Sequence, residues 1–181
     1  GGIAFIFFLV FLVLGAYLKG GFLGVVLEGV KGEEVSTDTF FSYANKFIAR
    51  FLIQLVIIFA AIAFFGLLFL NLDALAVFFV LLLLAAFFFL VFWDYVIVAQ
   101  DMGVVDAAER SWQIVSSNLG KVLLFLIPIA ILTAFFSFIA NFLIGSILIL
   151  LAIIGYAFWG TQVVFGLMSF YLELEDEEFI G

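Results

Sequence analysis

The chain has 181 residues, of which 69% are hydrophobic and 11% charged, with a net charge of −8. A soluble globular domain carries about 25% charged residues, so this composition belongs to an integral membrane protein. With no Cys there is neither a disulfide nor a thiolate metal site, and with no His the commonest general base and metal ligand are missing. The acidic balance argues against nucleic acid, which needs basic patches.

A helical span needs about 20 apolar residues. The apolar runs here are continuous rather than alternating, which selects helices over a transmembrane barrel. The first span covers about Ile3 to Leu18 and can continue helically through Val30. The chain starts without Met or a basic leader, which reads as a truncated start. Ser36 is placed to cap the next helix, with Asp38 in its first turn where the helix dipole favours an anion. That helix carries apolar residues at Phe41, Ala44, Ile48 and Phe51, an interfacial pattern. Span two follows to Leu70, and Asn71-Leu72-Asp73 predicts a tight turn.

Span three covers about Ala74 to Val98, with Trp93 and Tyr95 expected in an aromatic belt. A second amphipathic helix follows, with Asp106 and Glu109 spaced as a capping box and a stripe of Ala108, Trp112, Val115 and Leu119. Span four runs from Val122 to Leu143 and contains Pro128, expected to kink it. Gly145-Ser146 turns the chain into span five, about Ile147 to Phe170. Glu173 to Glu178 then read as a solvated, partly disordered tail.

The fold expected is therefore an all-α transmembrane bundle of five spans, six in the full chain, with two cytoplasmic amphipathic helices lying flat on the membrane. All six basic residues fall in two stretches, Lys19, Lys31, Lys46 and Arg50, then Arg110 and Lys121. The positive-inside rule places residues 19–50 and 94–121, and with them the C-terminus, in the cytoplasm of a cell in whose inner or plasma membrane the chain sits. Arg and Lys of the two amphipathic helices are expected to contact anionic lipid. A shift of 71 residues aligns Gly32 with Gly103, Asp38 with Glu109, Phe41 with Trp112 and Arg50 with Lys121. This predicts a tandem hairpin repeat of residues 1–71 and 72–142, a closing helix over 146–172 and the acidic tail over 173–181.

Lys19 and Asp94 both lie near the inner ends of spans one and three. Charges at membrane depth cost a few kcal/mol and tend to pair, so two outcomes are open, an ion pair between them or separate snorkelling of each to the interface. Gln54, Thr133, Thr161 and Gln162 are candidates for a polar lining, or for ordinary interhelical hydrogen bonds. Gly20 and Gly24, like Gly155, Gly160 and Gly166, permit close helix packing.

The run from Gln100-Asp101-Met102-Gly103 through Ala107, Arg110-Ser111-Trp112 and Asn118 to Lys121 resembles a pattern found in the membrane domain next to glycerophosphoryl diester phosphodiesterases and in uncharacterised six-helix prokaryotic membrane proteins. The resemblance implies a sixth helix ahead of residue 1 and no activity of the membrane domain itself; fused to a phosphodiesterase, such a domain would anchor it. No hydrolase, kinase or phosphatase motif is present, and no nucleophile–base pair assembles without His or Cys. The function expected is non-enzymatic, with no cofactor and no metal. The chain is read as a scaffold, a subunit of a membrane complex or homo-oligomer, or a lipid-organising protein. The alternative is a small-molecule or lipid transporter using the interface between the two repeat units.

Overall fold

The structure is a computed structural model that describes residues 2–71, 76–143 and 149–180. The expected turns after Asn71 and at Gly145-Ser146 lie outside the described residues. The described chain is all-helical: α1 (Gly2–Lys31), α2 (Thr37–Asn71), α3 (Ala76–Phe89), α4 (Trp93–Ala99), α5 (Val104–Ser117), α6 (Leu119–Leu143) and α7 (Ile149–Ile180). Five apolar helical stretches are long enough to cross a membrane, with α3 and α4 together making one of them. The chain divides within α5 into two compact units, Gly1–Gln113 and Ile114–Gly181.

The first unit is built on the α1/α2 hairpin. Gly32, at φ +77°, ends α1 in the left-handed conformation that glycine adopts without strain. Glu33 N–H then reaches Glu28 O at 2.9 Å and Gly32 N–H reaches Gly29 O at 3.3 Å, closing the last turn. Ser36 caps α2, its hydroxyl accepting from Thr39 N–H at 3.2 Å, while Thr39 Oγ1 accepts from Ser36 N–H at 3.3 Å.

Above this turn the two helices approach closely at Gly20, Gly21 and Gly24. A methyl group on Gly21 would lie 2.5 Å from the Phe40 ring, and one on Gly24 would collide with Tyr43. The α2 side of the seam carries Ala44, Phe47 and Phe51, all fully buried. This face is rotated by one position from the expected stripe: Ala44 and Phe51 belong to both, but Phe41 is exposed and Ile48 only half-buried. The stretch Ser36–Arg50 is also not a separate helix lying flat, since α2 runs unbroken to Asn71. Its apolar face is taken by the glycines of α1, and no helix-breaking residue separates it from the span.

Span three is interrupted where a continuous helix was expected. Residues 90–92 form a turn between α3 and α4. Ser111 of α5, fully buried, stitches it: its hydroxyl donates to Phe89 O at 3.0 Å and accepts from Phe92 N–H at 3.2 Å. Trp112 stacks on Phe89 with ring centroids 4.1 Å apart. Trp93 and Tyr95 do not form an exposed belt but are buried, the Trp93 indole donating to Val104 O at 2.7 Å. Helix α5 begins at Val104, so Asp106 lies inside its first turn instead of capping it. Its buried face is Val104, Ala107, Ser111 and Ile114, with Val115. Of the expected interfacial stripe, Trp112 is exposed, as is Leu119, the first residue of α6, while Val115 is buried.

In the second unit, α6 and α7 pack antiparallel. Phe125 stacks on Phe170 at 4.2 Å and Phe136 on Trp159 at 5.4 Å. Helix α6 passes through Pro128 without interruption. Helix α7 continues to Ile180, so the acidic stretch after Leu172 is helical, not a disordered tail. Glu is a good helix former, and Glu177 forms an ion pair with Lys121 of α6.

Buried positions crowd into the charge-bearing parts of the helices: Ala16 to Leu27 in α1, Ala44 to Gln54 in α2, Val122 in α6 and Met168 to Leu174 in α7. The purely apolar parts are mostly exposed, as expected where hydrocarbon is the solvent. The seam predicts a graded response. Gly24→Ala drives a methyl into Tyr43, and overpacking of this kind costs about 1–3 kcal/mol. Gly20→Ala meets its nearest atoms at 3.4 Å, so it should melt near wild type in detergent while Gly24→Ala melts several degrees lower.

Candidate functional site

Three helices of the first unit each place one polar side chain at a single point. Lys19 of α1 donates to Asp94 Oδ1 of α4 at 2.7 Å and to Gln54 Oε1 of α2 at 3.2 Å. Gln54 Nε2 donates to the same Asp94 Oδ1 at 2.7 Å. The amide orientation follows from charge: its oxygen faces the ammonium and its nitrogen the carboxylate. Lys19 also lies over the Phe51 ring, 4.9 Å from the centroid, a favourable cation–π position. Gln54 is 2% exposed, whereas the Lys19 and Asp94 side chains are 36% and 33% exposed. The ion pair thus stands at the edge of the packed region, with the amide behind it.

A second polar contact lies two turns nearer the start of α2. Arg50 Nη1 meets Asp101 Oδ1 at 2.5 Å and Lys46 Nζ meets Asp101 Oδ2 at 3.0 Å. Lys46, Arg50 and Gln54 recur every four residues and form one stripe of α2. Asp101 takes φ +54°, a left-handed conformation that Asp and Asn tolerate better than most residues. The hydrogen bond from Lys46, then that from Arg50, hold its carboxyl below the usual carboxylate range. Tyr43 donates to Glu28 and ties α2 back to α1.

The other expected polar residues are used locally. Thr133 accepts from Trp159 Nε1 at 3.0 Å, Thr161 donates to Ala157 O at 3.0 Å, and Gln162 is exposed. In the motif, Ala107 and Ser111 are buried in the face of α5. Gly103 precedes α5, and a methyl group there would lie 3.1 Å from the Asp106 carboxylate. Asn118 joins α5 to α6 and donates to Ile114 O at 3.1 Å. Among the described residues no three Asp, Glu, His or Cys side chains converge to hold a metal ion. Two cavities in the first unit lie between α2 and α3. One of about 720 Å³ is lined by apolar residues such as Ala63 and Phe79, and one of about 140 Å³ by Ile58, Ala61 and Trp93.

The chain belongs to the family described as Domain of unknown function (DUF7847). The family model matches residues 3–171, nearly the whole chain. No curated protein matches, and no solved structure matches. The glycerophosphoryl diester phosphodiesterase membrane domain is not the family found. An uncharacterised family is consistent with the sequence reading, and the DUF7847 match stands in its place.

Sequence reasoning did not find Gln54 as the link between Lys19 and Asp94, nor Asp101 as the acceptor for Lys46 and Arg50. The four-residue spacing of Lys46, Arg50 and Gln54 was the available signal. Breaking an ion pair by removing one partner costs more than replacing both. Asp94→Ala should therefore lower the melting temperature by several degrees, and the double variant Lys19→Met/Asp94→Leu should recover most of the loss. Asp101 has a depressed folded-state pKa, so its stabilisation is present above the unfolded carboxylate range and lost as pH falls through the folded value. The pair is exposed, worth about 0–1 kcal/mol. Asp101→Asn should then melt slightly below wild type at pH 7 and equal to it in strong acid.

Proposed function

We propose that this member of the DUF7847 family is a non-enzymatic membrane module, a scaffold or subunit that holds its spans in a fixed arrangement and presents their apolar surfaces to lipid and to partner chains. The observation that carries this reading is where the polar groups are spent. Lys19, Gln54 and Asp94 hold three helices together, Asp101 clamps α2, Ser111 mends the α3/α4 turn, and Asn118 bonds back into α5. Among the described residues every buried side-chain polar atom has a partner. A transporter pathway needs polar groups left over for its cargo, and the cavities between α2 and α3 have apolar linings.

In this reading residues 19–50 and 94–121 and the C-terminus face the cytoplasm, following the positive-inside rule. Helix α5 is the interfacial element. Val105 and Trp112, seven residues apart, are exposed, next to the face that α5 buries. Seven residues are close to two helical turns, so they lie on one stripe. Trp112 stacks on Phe89, the last residue of apolar α3, which brings the stripe against an apolar span. Arg110 and Lys121 supply charge for anionic headgroups.

Burial supports the duplication as well. Under the 71-residue shift, buried Gly21, Gly24, Val26 and Leu27 meet buried Phe92, Tyr95, Ile97 and Val98, and Ala44 and Phe51 meet Val115 and Val122. The copies differ where α1 runs through Lys19–Gly21 and the second copy turns at 90–92.

Native mass spectra of the protein released from its own membranes test the role: a stoichiometric partner chain or defined homo-oligomer is expected, and cargo-dependent flux by the reconstituted monomer would overturn it. The chain has no Cys, so single-Cys variants test α5 in liposomes. Cys at Val105 should resist a water-soluble maleimide, and Cys at Asp106 or Gln113 should react at least tenfold faster. Equal rates would remove α5 from the interface.

A further inference from the structure

We propose that the cleft between α2 and α3 is a binding site for one zwitterionic phospholipid, with an acyl chain in the cleft and the headgroup on the Lys19–Asp94 pair. This deepens the scaffold reading and rests on it, since it names a lipid that the module would hold.

The two cavities between α2 and α3 share Ile62, Phe65 and Leu83, so they form one continuous cleft. Apolar side chains line it, with the Trp93 indole committed to Val104 O. A cleft of this kind offers water no partners, and leaving it empty forfeits contacts along both walls. In a bilayer the filler at hand is a hydrocarbon chain.

The polar site stands beyond one end of the cleft, on α2 and α4, without lining it. Gln54, Ile58, Ala61 and Phe65 follow one another at steps of four, three and four, hence on one face of α2. On the opposite wall Trp93 lines the cleft beside Asp94 in α4. The Lys19–Asp94 pair is also unsaturated in a specific way. Lys19 uses two N–H groups, one on Asp94 and one on Gln54, of the three an ammonium owns. Both donors to Asp94 converge on Oδ1, while the side chain stays one-third exposed. That leaves an N–H of Lys19 for a phosphate oxygen and Oδ2 of Asp94 for an ammonium. The two charges of a phosphatidylethanolamine headgroup have the signs to match. An anionic headgroup would satisfy Lys19 but face the Asp94 carboxylate.

The test is native mass spectrometry of the detergent-solubilised, delipidated full chain titrated with phosphatidylethanolamine or phosphatidylglycerol of matched acyl chains. Wild type should take up one phosphatidylethanolamine at least tenfold more readily than phosphatidylglycerol. Ala61→Trp fills the cleft and should abolish that uptake with the helical circular-dichroism signal intact. Ala86→Leu, on the facing wall, should weaken it several-fold and serves if Ala61→Trp does not fold. Asp94→Asn should lose the preference for phosphatidylethanolamine. Uptake by folded cleft variants equal to wild type, or no preference between the lipids in wild type, would overturn the site. A partner chain released from native membranes by Ala61→Trp would give the cleft to a partner helix, overturning the lipid site while leaving the scaffold reading intact.

Discussion

In a chain this apolar, the few charged and amide groups near the spans must each find a partner, because hydrocarbon supplies none. The convergence of Lys19 and Gln54 on Asp94 Oδ1 answers that constraint at one point and fixes three helices with it. Gln54 could not be buried to 2% without both contacts, since a buried unpaired amide costs about 1–3 kcal/mol. The glycine seam of α1 makes the geometry reachable: Gly20, Gly21 and Gly24 let α2 close on α1. Phe51, one turn before Gln54, then lies beneath the Lys19 ammonium.

The spans were legible because twenty-residue apolar runs have no alternative in a bilayer. The N-cap Ser36 and the closeness allowed by Gly20 and Gly24 were legible for the same local reasons. The apolar stripes of α2 and α5 were read as facing the membrane, and the faces these helices bury against protein run beside them. Both helices carry apolar residues over a wide arc, and periodicity alone cannot say which part of the arc meets protein and which meets lipid. Phe41 and Trp112, in those stripes, are exposed, and Trp112 stacks on Phe89.

The turn at 90–92 carries no signal in Leu90-Val91-Phe92, which contains neither Gly nor Pro. Its cause lies nineteen and twenty-two residues away in Ser111, which supplies a side-chain donor and acceptor to the interrupted backbone. A tertiary partner of this kind is invisible to any local reading of the span. Of the candidate site, the Lys19 and Asp94 charges stood out by their cost at membrane depth. Gln54 did not, because a neutral amide inside a span has many ordinary uses.

These observations change what the motif from Asp101 to Lys121 means. Asp101 accepts from Lys46 and Arg50, Ser111 bonds across the turn, Trp112 stacks on the end of α3, Asn118 joins two helices and Lys121 meets Glu177. These five side chains are engaged in positioning neighbouring elements, holding α4 and α5 against α2 and α3 and tying α6 to α7. Among the polar groups examined along the spans, the Lys19–Asp94 pair differs, being one-third exposed and carrying hydrogen-bonding capacity beyond its mutual contact. Spare hydrogen-bonding capacity beside an apolar cleft is the combination that a lipid headgroup and its acyl chain require together.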